Sequence, residues 1–406
     1  MDDQPSVFDA LFHLGWQFVK AFPGAIAVGA AFFATVVLLP RMLAILLWVA
    51  LMALALRTGV SLLDVLTARS RESRISGKIR RSASELLDEL AVPYSSVDVS
   101  VNSIIRLRIN GDRETMLGLA PAIASRCGMV GWRVGASESL AFTDILLWEV
   151  DPLAHPIGAF SEVNFESGDD FLLGVDEMGS EVRVSADDVS VLISGVPGSG
   201  KSCIAAFIHH ASERGNTCVA IDLKSGVEFE RFRGCRGVSV VSSPSEALEE
   251  LRKLVSWMDD RYVTLRGLKA RKAEDAGLPP VWLVIDEVQQ LTNPPNRQRR
   301  EEGRRLLADL LARGRAAGLV VVVGTQHASG EVLSTQARDL FRVRIAFHQV
   351  TSEGWKMALG RRLEASAPAI SSPGLGFMTA EGSDGIIRIR TFEMTDEFPH
   401  EGIDAL

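Results

Sequence analysis

The chain has 406 residues, with 43 Lys and Arg against 51 Asp and Glu and a net charge of −8; that length suits two or three domains. A hydrophobic content of 47% beside 23% charged residues excludes a disordered chain, and the acidic balance excludes a basic protein that coats nucleic acid. A mean hydropathy of +0.16 points to lipid contact somewhere along the chain.

That contact is expected near the amino terminus. Residues Ala21 to Pro40 carry no charge, and after Arg41 neither do Met42 to Leu56. At about 1.5 Å per residue the first run alone reaches across a hydrocarbon core of about 30 Å. Two arrangements fit: a helical hairpin turning at Pro40 and Arg41, or one span followed by an interfacial segment. Asp2 and Asp3 at the start argue against a cleavable signal peptide. In the flank that follows, Arg69, Arg71, Arg74, Lys78, Arg80 and Arg81 face a single acid, Glu72. The positive-inside rule then places everything beyond in the cytoplasm, and the same cluster suits anionic lipid head groups.

Further along, VDVSVNSIIRLRI alternates with period two, RETMLGLAPAIASRC reads as a helix and GWRVGASESLAFTDILLWEV as two strands, a small βαββ unit. FLLGVDEMGSEVRV reads as a hairpin turning at Gly179. Beyond Val189, the apolar strands VSVLISG, TCVAIDL, VWLVIDE, LVVVVGTQ and VRIAFHQ alternate with helical sequence, including a long amphipathic helix from Pro244 to about Asp275. This pattern predicts an α/β fold with a mainly parallel sheet covered on both faces and a ligand at the carboxyl ends of the strands. The chain thus divides into a membrane anchor (1–57), a basic juxtamembrane linker (58–95), a small α/β subdomain (96–155) and a larger α/β domain (156–406).

The chemistry gathers at those strand ends. The first strand runs into Gly195-Val196-Pro197-Gly198-Ser199-Gly200-Lys201-Ser202, followed by Cys203, which fits GxxxxGK[ST]. Such a loop turns its backbone N–H groups around phosphate at a helix start, with Lys201 reaching the β- and γ-phosphates and Ser202 ligating magnesium. Asp286 and Glu287 end an apolar strand, where adjacent carboxylates are tolerated only at a ligand site. Asp286 is expected to hold magnesium through water and Glu287 to orient or deprotonate the attacking water. Gln326, after the next strand, is placed to sense the γ-phosphate. Arg313 and Arg315, in LLARGRAAG, either reach a neighbouring subunit's nucleotide or pair with surface acids; Arg344 is a third candidate. Cys127, Cys203, Cys218 and Cys235 form no CxxC pair, so neither a zinc site nor a disulfide framework is expected, and nothing calls for an organic cofactor. His209 and His210, behind the phosphate loop, read as packing or surface residues.

Taken in order, GVPGSGKS, IDLKSGVEF, WMDDRY, VWLVIDEVQQL, LLARGRAAGLVVVVGTQ, RVRIAF and GLGFM resemble the FtsK/SpoIIIE family of DNA translocases, most of all the single-motor plasmid-transfer members of the TraB/TraSA type. The resemblance covers roughly Val97 to the carboxyl terminus. It implies a RecA-like P-loop NTPase motor that assembles as a hexameric ring, is anchored by amino-terminal transmembrane segments and pumps double-stranded DNA using ATP. Gly195, Gly200, Lys201 and Ser202 match the family's nucleotide loop, Asp286 and Glu287 its second motif and Gln326 its sensor. Lys224 matches a lysine near the nucleotide and the subunit interface. Where the family usually reads TQRPS, this chain has His327 and Ala328 in place of Arg and Pro, so that arginine's role does not carry over. Little sequence follows GIIRIRTFEM, so a winged helix that reads orienting DNA sequences is not expected.

Lys224, Arg231, Arg233 and Arg236 are the candidate DNA contacts, and Arg297, Arg299, Arg300, Arg304 and Arg305 form a second basic cluster that equally suits a solvated helix face paired with Glu301 and Glu302. A ring would repeat each cation around a channel, so a net negative chain can still hold DNA. Two alternatives stay open: a related ATPase that drives protein secretion, and a non-motor membrane scaffold that binds ATP as a switch. Glu287 weighs against the switch.

Overall fold

The computed structural model describes residues 70–394 except 102–103, 135–141, 159–169, 186–189, 225, 364–369, 371 and 383–384. The expected membrane anchor therefore lies outside the described residues, among which no helix is long and apolar enough to cross a membrane. Two units result: residues 70–81 with 99–101, and the remainder. In the first, residues 70–81 are helical, and the Ser76 hydroxyl donates to the Val99 carbonyl at 3.2 Å. The expected linker is thus helical over residues 70–89, with Arg71, Arg74, Lys78, Arg80 and Arg81 exposed on it.

The second unit holds the small α/β layer apart from residues 99–101. Where one strand was expected, the sequence around residues 97–109 makes two, β1 (Val97–Val101) and β2 (Ile105–Ile109). Ile105, Leu107 and Ile109 point inward from β2, and the strand pairs antiparallel with β4 (Thr143–Trp148), which pairs in turn with β3 (Gly131–Val134). Helix α1 (Arg113–Cys127) starts where the Asp112 carboxylate accepts the Thr115 amide, and stops at Gly128, whose φ of 73° few other residues adopt readily. Inside the layer, Arg108 grips Asp144 at 2.7 Å; that hydrogen bond, with the guanidinium's charge, holds the carboxyl below its ordinary range.

The hairpin of β5 (Asp170–Asp176) and β6 (Glu181–Ser185) turns at Gly179, φ 74°, as its sequence predicts. The remaining strands are β7 (Ser190–Ser194), β8 (Thr217–Asp222), β9 (Val238–Val241), β10 (Val281–Asp286), β11 (Leu319–Thr325), β12 (Val343–Ala346), β13 (Leu375–Ala380) and β14 (Ile387–Thr391). Together they make a ten-stranded sheet in the order β6-β5-β14-β13-β12-β7-β11-β10-β8-β9. From β12 to β9 every pairing is parallel, and from β12 to β6 every pairing is antiparallel. The sheet is mixed, with its parallel part carrying the nucleotide motifs.

Both faces of the parallel part are buried, so successive residues of one strand feed different cores. Leu283, Ile285, Val321 and Val323 pack with Leu251 of α3 (Pro244–Leu268) and Leu310 of α5 (Arg297–Ala317). Trp282, Val284, Val320 and Val322 pack with Phe207 and Ile208 of α2 (Ala205–Glu213). A four-residue helix α4 (Gln289–Thr292) follows β10, and α6 (Thr335–Asp339) and α7 (Ser352–Leu359) flank β12. Helix α3 is shorter than its sequence suggests. It ends at Leu268 because Lys269 takes φ 55°, which turns its amide back onto the last carbonyls of the helix.

Candidate active site

Parallel pairing brings the ends of four strands to one edge. Thr325 lies in register with Ser194 and Asp286 with Asp222, so the residues following β7, β8, β10 and β11 share a crevice. There the Gly195 amide donates to the Thr325 carbonyl at 3.2 Å and the Val196 amide to the His348 carbonyl at 3.1 Å, which pins the root of the loop to its neighbours. Gly198 and Gly200 then take φ of 74° and 107°, and the chain enters a tight turn, Lys201–Ile204, that leads into α2. Lys201 Nζ donates to the carbonyls of Gly195 and Val196 at 2.6 and 3.1 Å. Burial lowers its proton affinity, opposed by the charges of Glu287 and Asp286.

A cavity of about 410 Å³ opens on this loop, lined by Gly198, Gly200, Lys201, Ser202, Asp286 and Glu287 among others. Asp286 is 5% exposed; burial, then the charge of Glu287, pushes its pKa up to about 6. A side chain on residue 324 would strike the Asp286 carboxylate, so Gly324 is what lets β11 pass beside it. Glu287 takes φ 55°, a conformation that costs a non-glycine residue on the order of 1 kcal/mol, and two amides hold its carboxylate. Gln326 Nε2 donates to Glu287 Oε1 at 3.0 Å, and Gln289 Nε2 donates to Oε2. The Thr325 hydroxyl donates in turn to Gln289 Oε1 at 3.0 Å. The expected sensor and the expected base are therefore in direct contact.

Gln289 and Asp222 escaped the sequence reading. Gln289 is legible only as the residue two beyond the glutamate in IDEVQQL. The fully buried Asp222 accepts the amides of Lys224, Glu228 and Phe229 at 2.9, 2.8 and 3.1 Å and so shapes the loop after β8. Replacing Gln289 by Leu is expected to lower kcat about tenfold with little change in KM for ATP, since the glutamate loses one orienting amide and the loop is untouched. Steady-state turnover checks the split.

The structure places Lys224 on the nucleotide cavity. Arg231, Arg233 and Arg236 fall together between β8 and β9, with Arg231 over the Phe232 ring at 5.5 Å and Arg233 paired with Glu230 at 2.8 Å. Within α5, Arg297 pairs with Glu301 at 2.7 Å, and Arg300 and Arg304 donate to the carbonyls of Pro294 and Thr292; Arg299 and Arg305 are exposed. Arg313 is gripped within its own chain by Asp309 and Asp259 at 2.6 and 2.7 Å. Arg315 and Arg344 line a different cavity, by the amino-terminal starts of β7 and β11, and Arg344 pairs with Asp339 at 3.2 Å. None of these three arginines lines the chain's own nucleotide cavity. Cys203 is buried, which pushes its thiol up to about 12. His209 and His210 are buried packing residues, His210 edge-on to Trp282 at 5.6 Å.

A glycine loop after β7, a carboxylate pair after β10 and an amide after β11, on a sheet with β7 between β11 and β12, define a P-loop ATPase fold. Residues 191–349 match the ATPase family associated with various cellular activities (AAA). The chain is 29% identical over 210 residues to the DNA translocase FtsK of Borreliella burgdorferi, covering 47% of this chain and 26% of that protein. It is 25% identical over 266 residues to the FtsK of Haemophilus influenzae, covering 55% and 49%, so the match spans at most about half of either relative. It is also 25% identical over 174 residues to the FtsK-domain protein YdcQ of Bacillus subtilis, covering 42% and 36%. The similarity to FtsK-type translocases read from the motifs is thereby shown. The fold is that of the pCW3 conjugation coupling protein TcpA, with a TM-score of 0.58 at 17% identity over 80% of this chain and 96% of that one.

Proposed function

We propose that the protein hydrolyses ATP to move double-stranded DNA, as a membrane-anchored motor that works as a ring of six copies with its ATPase domain in the cytoplasm. The observation that carries the reading is the contact of Gln326 and Gln289 with both carboxylate oxygens of Glu287, beside Lys201 and the phosphate loop. A nucleotide-binding scaffold needs the loop but has no use for an oriented base.

In this reading the loop amides and Lys201 hold the phosphates, Glu287 accepts the proton of the attacking water, and Gln326, bonded to that base, passes the state of the site to the segment after β11. Magnesium fits the residues present: the Ser202 hydroxyl and the buried Asp286 share the cavity, and among the described residues no group of three or more His, Cys, Asp or Glu side chains could hold a metal alone. Such a site suits an ion that keeps waters and takes phosphate oxygens as further ligands. When bound, it neutralises phosphate charge. An action on a neighbour's nucleotide is open to Arg313, which Asp309 and Asp259 hold within its own chain, and to the exposed Arg315.

Duplex DNA as cargo is supported by the names of the curated relatives and by the cations between β8 and β9, which suit backbone contact. Anchoring is supported by the uncharged runs before Arg57 and the basic flank beyond them. The setting these features favour is transfer of a plasmid or integrative element between cells, or chromosome segregation. The test is ATP turnover by the full chain in lipid nanodiscs, with and without linear duplex DNA. Duplex is expected to raise turnover severalfold, and Lys201→Ala to abolish both basal and stimulated rates. Turnover indifferent to duplex would overturn DNA as cargo and favour a polypeptide.

A further inference from the structure

The helix over residues 70–89 carries its charges in an order that its own backbone does not favour. Its last turns hold Glu85, Asp88 and Glu89, while Arg71, Arg74, Lys78, Arg80 and Arg81 come before them. Acids at the carboxyl-terminal end of a helix, with the cations away from it, oppose the macrodipole. Two of the acids have contacts that account for them: Glu89 holds Arg126 at 2.6 Å and Asp88 accepts the Tyr94 hydroxyl at 3.1 Å. The cations have no such account. Among the described residues none of Arg71, Arg74, Lys78 and Arg81 has an ion-pair partner, whereas Arg252, Lys253 and Arg297 on α3 and α5 pair with Glu302, Glu250 and Glu301 at 2.8, 2.7 and 2.7 Å.

Those four cations also share a face. Steps of three, four and three residues keep returning to one side of a helix, and all four side chains are exposed. Away from them, Ile79 is 1% exposed and the Ser76 hydroxyl donates to the Val99 carbonyl at 3.2 Å, so the protein itself occupies another side of the helix. The stripe comes soon after the uncharged runs. The chain from Arg57 to Arg71 reaches at most about 50 Å, which keeps the stripe near any bilayer that takes those runs.

We infer that Arg71, Arg74, Lys78 and Arg81 bind the anionic head groups of the membrane that holds the anchor, and that residues 70–81 lie along its surface. This rests on the reading of the amino terminus as a membrane anchor. Arg71 and Arg81 are about 15 Å apart along the helix axis, and the potential of an anionic leaflet fades over a Debye length of about 8 Å at physiological salt. An upright helix would leave Arg81 out of reach. A helix lying flat brings all four cations to the head groups, each favouring the surface about fivefold. Duplex DNA is also a polyanion, but only the bilayer is tethered beside this segment by the chain.

The experiment uses the full chain with Cys235→Ser, whose other cysteines are buried, and a fluorophore on Gly77→Cys, a position beside the stripe with nothing within 4 Å of an added side chain. Nanodiscs carry a lipid with a nitroxide on its head group as quencher, in phosphatidylcholine alone or mixed with phosphatidylglycerol. Quenching is expected to be about threefold stronger with phosphatidylglycerol. It should fall to the neutral-lipid level at high salt, and when Arg71→Gln, Arg74→Gln, Lys78→Gln and Arg81→Gln are combined. Equal quenching in the two lipids, or none, would overturn the stripe's role, as would a label that responds to added duplex DNA and not to the anionic lipid. A second label, on Ala30→Cys in the first uncharged run, reports the anchor through quenching by an acyl-chain nitroxide. Quenching there beside an unresponsive residue 77 overturns the stripe alone, and no quenching at either position overturns the anchor with it.

Discussion

Glu287→Gln is expected to lower the turnover number about a thousandfold and to leave the affinity for ATP within a few-fold of wild type. General-base action contributes on the order of a hundred- to ten-thousandfold, and that is the role proposed for this side chain. It is 4% exposed, lines the nucleotide cavity and receives an amide at each oxygen, so its orientation is set before any water arrives. Glutamine keeps the volume but cannot accept a proton. Single-turnover hydrolysis measured beside equilibrium binding of a fluorescent ATP analogue separates the two effects; a parallel loss of binding would show that the carboxylate positions the ligand instead.

Gly200→Ala is expected to weaken nucleotide binding at least a hundredfold. Gly200 has φ 107°, and a methyl there would overlap the backbone nitrogen and Cα of Gly374. Backbone strain of this kind costs roughly 1–3 kcal/mol. The overlap adds to it and pushes the loop off the hydrogen bond that the Gly374 amide donates to the Ser199 carbonyl. Gly198→Ala is the natural comparison, because Gly198 has φ 74° but nothing within 4 Å of where its methyl would go. That variant should lose less than tenfold. Equal losses in calorimetric titrations would mean that strain, and not the packing on Gly374, governs the loop.

Much of the site is legible in sequence because its residues are local. GVPGSGKS is one continuous loop, and Asp286 and Glu287 betray themselves as charges at the end of an apolar strand. The parallel strands are equally clear, since burial on both faces makes them runs of valine, leucine and isoleucine. The antiparallel wing is harder to see. In β13, Gly376 looks like a loop residue, yet it is there because a side chain would strike the Ala346 carbonyl and the Phe347 ring. Asp222 reads as just another strand-end acid until its three amide partners are seen. The buried Arg390 guanidinium donates to the Leu153 carbonyl, 237 positions earlier in the chain, and no window of sequence reports such a contact.

The place of β14 in the sheet also bears on how the protein is made. This strand, 387–391, lies between β13 and β5, and a phosphate loop synthesised nearly two hundred residues earlier leans, through Gly374, on Thr391. During translation the loop leaves the ribosome long before the strands that brace it, and the early β5–β6 hairpin must wait for its partner in the sheet. Contacts of such long range close slowly. The braced site is therefore complete only once β14 has been made, and a nascent chain stalled before β14 carries the whole phosphate-loop motif without it.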